Sequence, residues 1–308
     1  MKLKHIFSVL VIILVSGCIH GGQTSSTSPV VQGAAGIDFV IQNVPDYIQS
    51  GSTFSFLLEI INYGGYSVPA KSIEVNLANT NFFEYSQDTL TNDIPLLERT
   101  PEIDRGGITY LSFDNVLFSL PALAGDTTSL SLNTCYYYQT DGVVDICISD
   151  DSYGDICNAV GEKEIYSSSA PVEISEFSQL NSLKVGSAIK STIRFKIKKI
   201  GSEAVSSKGA NDFDCSSEDL NLNSIRINSI RIGNIEFNSD GQTSNTISQI
   251  CGGNEIINLN DKGEATVTCN IITYQGWTSA LGEFEERLTI NLDYVNNKII
   301  SKELSIIG

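Results

Sequence analysis

The chemistry this sequence can support starts from seven cysteines, 36 carboxylates and two histidines. A Ser-His-Asp or Cys-His device needs an imidazole packed against its nucleophile, and a histidine metal site needs at least two imidazoles. His5 sits in an apolar leader, and His20 lies in a polar linker two residues from Cys18. Those enzyme classes drop out. Glycoside hydrolysis survives the filter, because two acids at the right separation suffice. Glu102-Ile103-Asp104 begins a Glu-x-Asp-x-x-Glu spacing, but Gly107 stands where the third acid belongs. Trp277 is the only tryptophan for a sugar platform, and Glu283, Glu285 and Glu286 read as a solvated strand edge. No catalytic residue is expected, and the chain reads as a non-enzyme.

Calcium takes hard oxygen ligands from acidic loops. Asp145, Asp150, Asp151 and Asp155 crowd one such loop and form a weak calcium candidate, the only cofactor the sequence suggests. Asp212, Asp214, Glu218 and Asp219 crowd another around Cys215. Neither run fits the D-x-[DN]-x-[DN]-G spacing.

The N-terminus assigns one cysteine. Lys2 and Lys4 precede an apolar run from Ile6 to Val15, half the length a membrane-spanning helix needs, and small residues follow. Val15-Ser16-Gly17-Cys18 resembles a prokaryotic lipobox, which makes residues 1–17 a cleaved signal and Cys18 the lipidation site. Residues 18–36, rich in Gly, Ser and Thr, are expected to be a flexible tether. Without Lys2 and Lys4 the 19 basic residues fall to 17 against 36 acidic ones, a net charge of −19. Such a polyanion repels nucleic acid.

Six cysteines remain: Cys135, Cys147, Cys157, Cys215, Cys251 and Cys269. An even number in an oxidising compartment reads as three disulfides. Cys135 and Cys147 flank Asp141-Gly142, a turn dipeptide, so a hairpin there would set them opposite each other and pair them. Cys147–Cys157 is the rival pairing. Three cysteines fall on each side of Pro171, so complete pairing requires at least one bridge between the halves. Cys157 is the expected donor of that bridge.

The elements that must position these residues are strands. Thr53–Asn62, Ile73–Leu77, Ile108–Phe113, Leu130–Tyr136 and Val143–Ile148 alternate polar and apolar side chains, and so do segments from Val172 to Ile307. The expected fold is all-β: two tandem antiparallel Ig-like β-sandwich domains at residues 37–165 and 171–308, after the signal and tether. Thr53–Leu58 parallels Thr192–Ile197, and Leu132–Tyr136 parallels Val267–Asn270, which suggests duplication. Gly161 to Pro171 would be the boundary.

The run SGSTFSFLLEIINYGGYSV, from Ser50 to Val68, resembles the opening of Ig-like surface modules of the archaeal cell-adhesion type. The stretch CYYYQTDGVVDICI, from Cys135 to Ile148, and the cysteine-bearing second half are similar to two-domain surface proteins of archaea. The resemblance implies fold and location, not chemistry. The expectation is a lipid-anchored protein on the extracellular face of the cytoplasmic membrane, acting in adhesion, binding or envelope assembly. Its partners would be the membrane and another surface protein or glycan. The alternative is a solute- or carbohydrate-binding lipoprotein serving a transporter.

Overall fold

The computed structural model describes residues 36–119, 125–149, 157–185, 188–207, 215, 223–233, 235–239, 246–253, 255–273 and 283–307. The first half contributes β1 (Ile37–Gln42), β2 (Tyr47–Gln49), β3 (Thr53–Asn62), β4 (Ile73–Leu77), β5 (Phe83–Glu84), β6 (Leu90–Thr91), β7 (Ile108–Phe118) and β8 (Thr127–Ile148). The connecting segment adds β9 (Gly161–Glu162) and β10 (Tyr166–Ser167). The second half contributes β11 (Val172–Val185), β12 (Ala188–Lys199), β13 (Ala204–Ser206), β14 (Ser224–Ile232) and β15 (Ile235–Asn238). One helical turn, α1 (Ile247–Ile250), precedes β16 (Ile256–Asn258), β17 (Glu264–Thr273) and β18 (Phe284–Ile307). The expected all-β, antiparallel sandwich character is what the chain adopts.

β8 and β18 dominate the architecture. They pair antiparallel along their whole length, from Thr127 opposite Ser305 to Ile148 opposite Phe284. At about 3.3 Å per residue this ribbon is roughly 75 Å long. It forms the middle of a ten-stranded sheet whose main path runs β15-β14-β18-β8-β4-β6. Two four-stranded sheets, β1-β3-β7-β5 and β17-β12-β11-β9, complete the fold.

Both small sheets cover the same face of the large one. Even-numbered residues of β8 point inward: Tyr136 meets Phe39 of β1 at 5.8 Å, and the Thr140 hydroxyl donates to the Val172 carbonyl on β11 at 2.8 Å. Leu130, Leu132, Tyr138, Val144, Ile146 and Ile148 share that face and are buried. A single apolar core runs under both small sheets. Burial of this alternating stripe, at roughly 25 cal/mol per Å², is what holds the two layers together.

The large sheet reads the same outward from its β8/β18 seam in either direction, and each small sheet places its long central strand between two others. β3 and β12 correspond in this scheme, as the likeness of Thr53–Leu58 to Thr192–Ile197 suggests. The likeness of Leu132–Tyr136 to Val267–Asn270 does not hold: β17 occupies the place of β7, and the counterpart of β8 is β18. The segment placed as the boundary between halves is tied into both layers, since β9 pairs with β11 and β10 with β8.

The expected hairpin at Asp141-Gly142 is absent, and β8 runs straight through it. Gly142 is there for close approach: a Cβ would lie 2.8 Å from Ile174 Cδ1 and 3.1 Å from Ile165 Cδ1. Cys135 and Cys147 therefore sit on one extended strand, about 40 Å apart, and cannot bond to each other. Instead Cys135 pairs with Cys215, Cys147 with Cys157, and Cys251 with Cys269. A bridge does join the two halves, but Cys135 makes it rather than Cys157.

Candidate functional site

The outer face of the central ribbon carries the most concentrated polar chemistry among the described residues. Odd-numbered positions of β8 and β18 point there, and Asp293 stands opposite Gln139 and beside Arg226 of β14. Arg226 Nε donates to Asp293 Oδ1 at 2.9 Å, and its Nη2 donates to Oδ2, giving a bidentate fork. The Tyr137 hydroxyl donates to Asp293 Oδ2 at 3.3 Å and accepts from Gln139 Nε2 at 2.6 Å. Asn291 Nδ2 donates to Asp141 Oδ1 at 2.8 Å, and Asn228 Nδ2 donates to Asn291 Oδ1 at 2.9 Å. The result is a continuous polar chain from Asp141 to Arg226 across three strands.

Asp293 is only 1% exposed, while Arg226 keeps 25% of its side chain in water. Burial lifts the Asp293 carboxyl above its ordinary value, and the hydrogen bonds and charge of Arg226 oppose that rise. Burial likewise raises the Tyr137 hydroxyl well above the usual phenol range, helped by the nearby Asp293 charge. Tyr66, edge-on to Tyr137 with ring centroids 6.0 Å apart, is pushed up to about 12 by burial and by Asp293 and Asp141. These groups tie β8, β14 and β18 together through one buried carboxylate and its hydrogen-bonding partners.

A second feature is an open groove of about 790 Å³ beside β11. Ser167, Ser168 and Ser169 line one wall; Ser175 and Ser178 line the other, with Lys163 and Arg194 near them. β11 bulges between Ser175 and Ser178, and Glu176 there takes a left-handed φ of 49°. Three hydroxyls are already partly engaged: Ser167 Oγ accepts from Ile174 N, Ser168 Oγ accepts from Asp141 N, and Ser169 is buried. The groove is polar and hydroxyl-rich, a lining that suits a hydroxylated ligand.

Asp145 faces Arg287 across the ribbon at 3.6 Å, while Asp150, Asp151 and Asp155 lie outside the described residues. So do Cys18, His20, Asp212, Asp214, Glu218, Asp219 and Trp277. Glu102 and Asp104 are exposed on a loop. Glu283 accepts from the Cys157 backbone N–H at 2.8 Å just before β18, while Glu285 is exposed and Glu286 half-buried at the start of that strand. Cys147, Cys157 and Glu283 form the tightest grouping of metal-capable atoms among the described residues. The two sulfurs are bonded to each other and offer no thiolate.

Sequence reasoning missed Asp293, Arg226 and Tyr137. The signal for the ion pair was a single charge in each of two alternating stretches, Leu288–Tyr294 and Ile225–Ile227. Which charges meet across the sheet depended on a register that neither strand states.

No protein-family model matches the chain, and no curated protein matches it. Among the described residues, no helix is long and apolar enough to cross a membrane.

Proposed function

We propose that this chain is a lipid-anchored, non-enzymatic protein of the cell surface, a rigid β-scaffold that presents loops for adhesion, binding or envelope assembly. The observation that carries the reading is the stapled shared sheet. Two halves merged through a 22-residue and a 24-residue strand, and cross-linked by Cys135–Cys215, make a body without a hinge. Three disulfides suit an oxidising compartment outside the cytoplasm, where the leader and Cys18 would deliver the chain. Loops on such a scaffold carry specificity. Replacing Cys18 by Ser tests the anchor: the protein should appear in the medium or remain an unprocessed precursor. A variant that stays membrane-bound at processed size and still takes up labelled lipid sinks it.

The groove beside β11 favours a second reading, a carbohydrate- or solute-binding lipoprotein. Titration of the intact protein with oligosaccharides tests it. Heat of binding that vanishes in a Ser175→Tyr variant supports a groove ligand, and no heat with any sugar removes that reading.

A further inference from the structure

The body exposes large apolar side chains unevenly. Ile94, Leu97 and Ile103 are 54%, 63% and 56% exposed on one loop, and Val40, Ile108 and Tyr110 are exposed on the β1-β3-β7 sheet that the loop leads into. Val40 and Tyr110 share a row with Glu59, whose carboxylate is engaged by Gln42 and by the Tyr110 hydroxyl. Large apolar side chains on a loop are normally folded inward. Here the fold holds them out.

The clamp is Asn62, fully buried at the end of β3. Its Nδ2 donates to the carbonyls of Leu96 at 3.2 Å and Leu97 at 3.1 Å. Its backbone exchanges hydrogen bonds with Gly106 and Gly107, and Gly107 N donates to Leu97 O at 2.8 Å. A Cβ on Gly107 would lie 2.6 Å from Leu97 N, so the two arms of the loop touch as closely as backbone allows. The apolar side chains are therefore displayed on a fixed base.

The chain enters the body at the same place. Tyr63, next to the clamp, donates its N–H to the carbonyl of Gly36 at 2.9 Å, and Gly36 is the first residue described. Seventeen residues lie between Cys18 and Gly36. Their contour cannot exceed about 60 Å, shorter than the β8/β18 ribbon. A lipid on Cys18 thus keeps this face of the body nearest the bilayer. The loop carries Asp93, Glu98, Glu102 and Asp104 against Arg99 and Arg105, a balance that disfavours anionic headgroups.

We propose that the 94–107 loop, with the adjoining face of β1 and β7, rests on a zwitterionic lipid surface, so that the anchor and the loop together fix how the body stands on the membrane. Shallow seating of apolar and aromatic side chains at the headgroup boundary is the chemistry involved. This rests on the lipid-anchor reading given above.

The test uses the full processed chain in phosphatidylcholine vesicles with brominated acyl chains. Variants Leu97→Trp and Ile299→Trp report from the loop and from the opposite sheet face, with the Trp277 signal of the parent chain subtracted. Quenching by brominated lipid at position 97 and none at position 299 is the expected result. Equal quenching, or none, at the two positions on a chain whose mass shows lipid at Cys18 overturns the loop's role and leaves the anchor standing. A mass without lipid at Cys18 overturns the anchor and this inference with it. Shielding of position 97 from an aqueous quencher as protein concentration rises, without lipid, means a second copy covers the loop, and that also overturns it.

Discussion

Asp293 is one residue on which much rests. Its carboxylate lies buried against a guanidinium that still reaches water, so removing the acid strands a partly buried cation, whereas removing both charges leaves a gap that apolar groups can fill. Asp293→Ala should cost about 3 kcal/mol in urea unfolding. Adding Arg226→Met to it should restore part of that loss, and strictly additive single and double variants would show the pair is not coupled. The pH dependence has a definite sign. Burial raises the folded-state value of Asp293 above its unfolded value. The stability linked to it is therefore full at low pH and lost as pH rises through the folded value. With a formal net charge of −17 relaxing in the same direction, the urea midpoint at pH 5 should be no lower than at pH 8. A fall in mild acid would contradict this reading of Asp293. Gly142 is the other telling position. Its replacement by Val would drive two methyls into Ile174 and Ile165 and should destabilise by about 2 kcal/mol or more. In sequence Asp141-Gly142 has the form of a turn; only the strands packed above it show that the glycine marks contact.

At the scale of elements, alternation made the strands legible and their lengths illegible. Thr53–Asn62 and Ile73–Leu77 stand where the pattern placed them. The 22 residues of β8 read as two short strands, because a turn dipeptide at the centre is locally indistinguishable from a real hairpin. That single misreading carried the Cys135–Cys147 pairing with it. The parity of three cysteines per half was independent of it, and so the cross-link between halves was foreseeable while its partners were not. In the chain-entropy account the bridges should differ in weight: Cys135–Cys215 closes 80 residues and should contribute about 4.5 kcal/mol, against about 2.5 for the 10-residue loop of Cys147–Cys157. A non-reduced peptide map should show both linked pairs. Unfolding of Cys135→Ala/Cys215→Ala should then fall below that of Cys147→Ala/Cys157→Ala, and the reverse order would mean native strain outweighs loop closure.

Taken whole, the molecule should melt as one unit. The core is continuous and the ribbon spans both halves, so calorimetry should show a single transition with matching calorimetric and van't Hoff enthalpies, not two. Alkali should unfold it abruptly. Tyr136 and Tyr294 are raised well above their ordinary value by complete burial, and Tyr66, Tyr137 and Tyr138 are raised chiefly by burial. Their folded values exceed their unfolded ones, so the stability they lend is full below about pH 10 and drains as pH climbs toward and beyond 12. In ultraviolet titration these five of the twelve phenols should ionise late and together, with the loss of near-ultraviolet circular dichroism. Ionisation of all twelve before the circular dichroism is lost would mean these rings are not enclosed.

The pairing of Thr127 with Ser305 also orders events in time. A polypeptide that emerges N-terminus first delivers β1 to β7 early, yet the strand that lies beside β8 over its first ten residues is the last to arrive. Until Val295 to Ile307 have emerged, Leu130 and Leu132 have no neighbour on that side, and the first half waits open with an unpaired edge. Contacts so distant along the chain form slowly, and an exposed edge in the interval invites pairing with other chains. Folding of the first half is thereby made conditional on completion of the second. A chain stopped after Asn296 should lose protease resistance in residues 37–119 as well as at its own end.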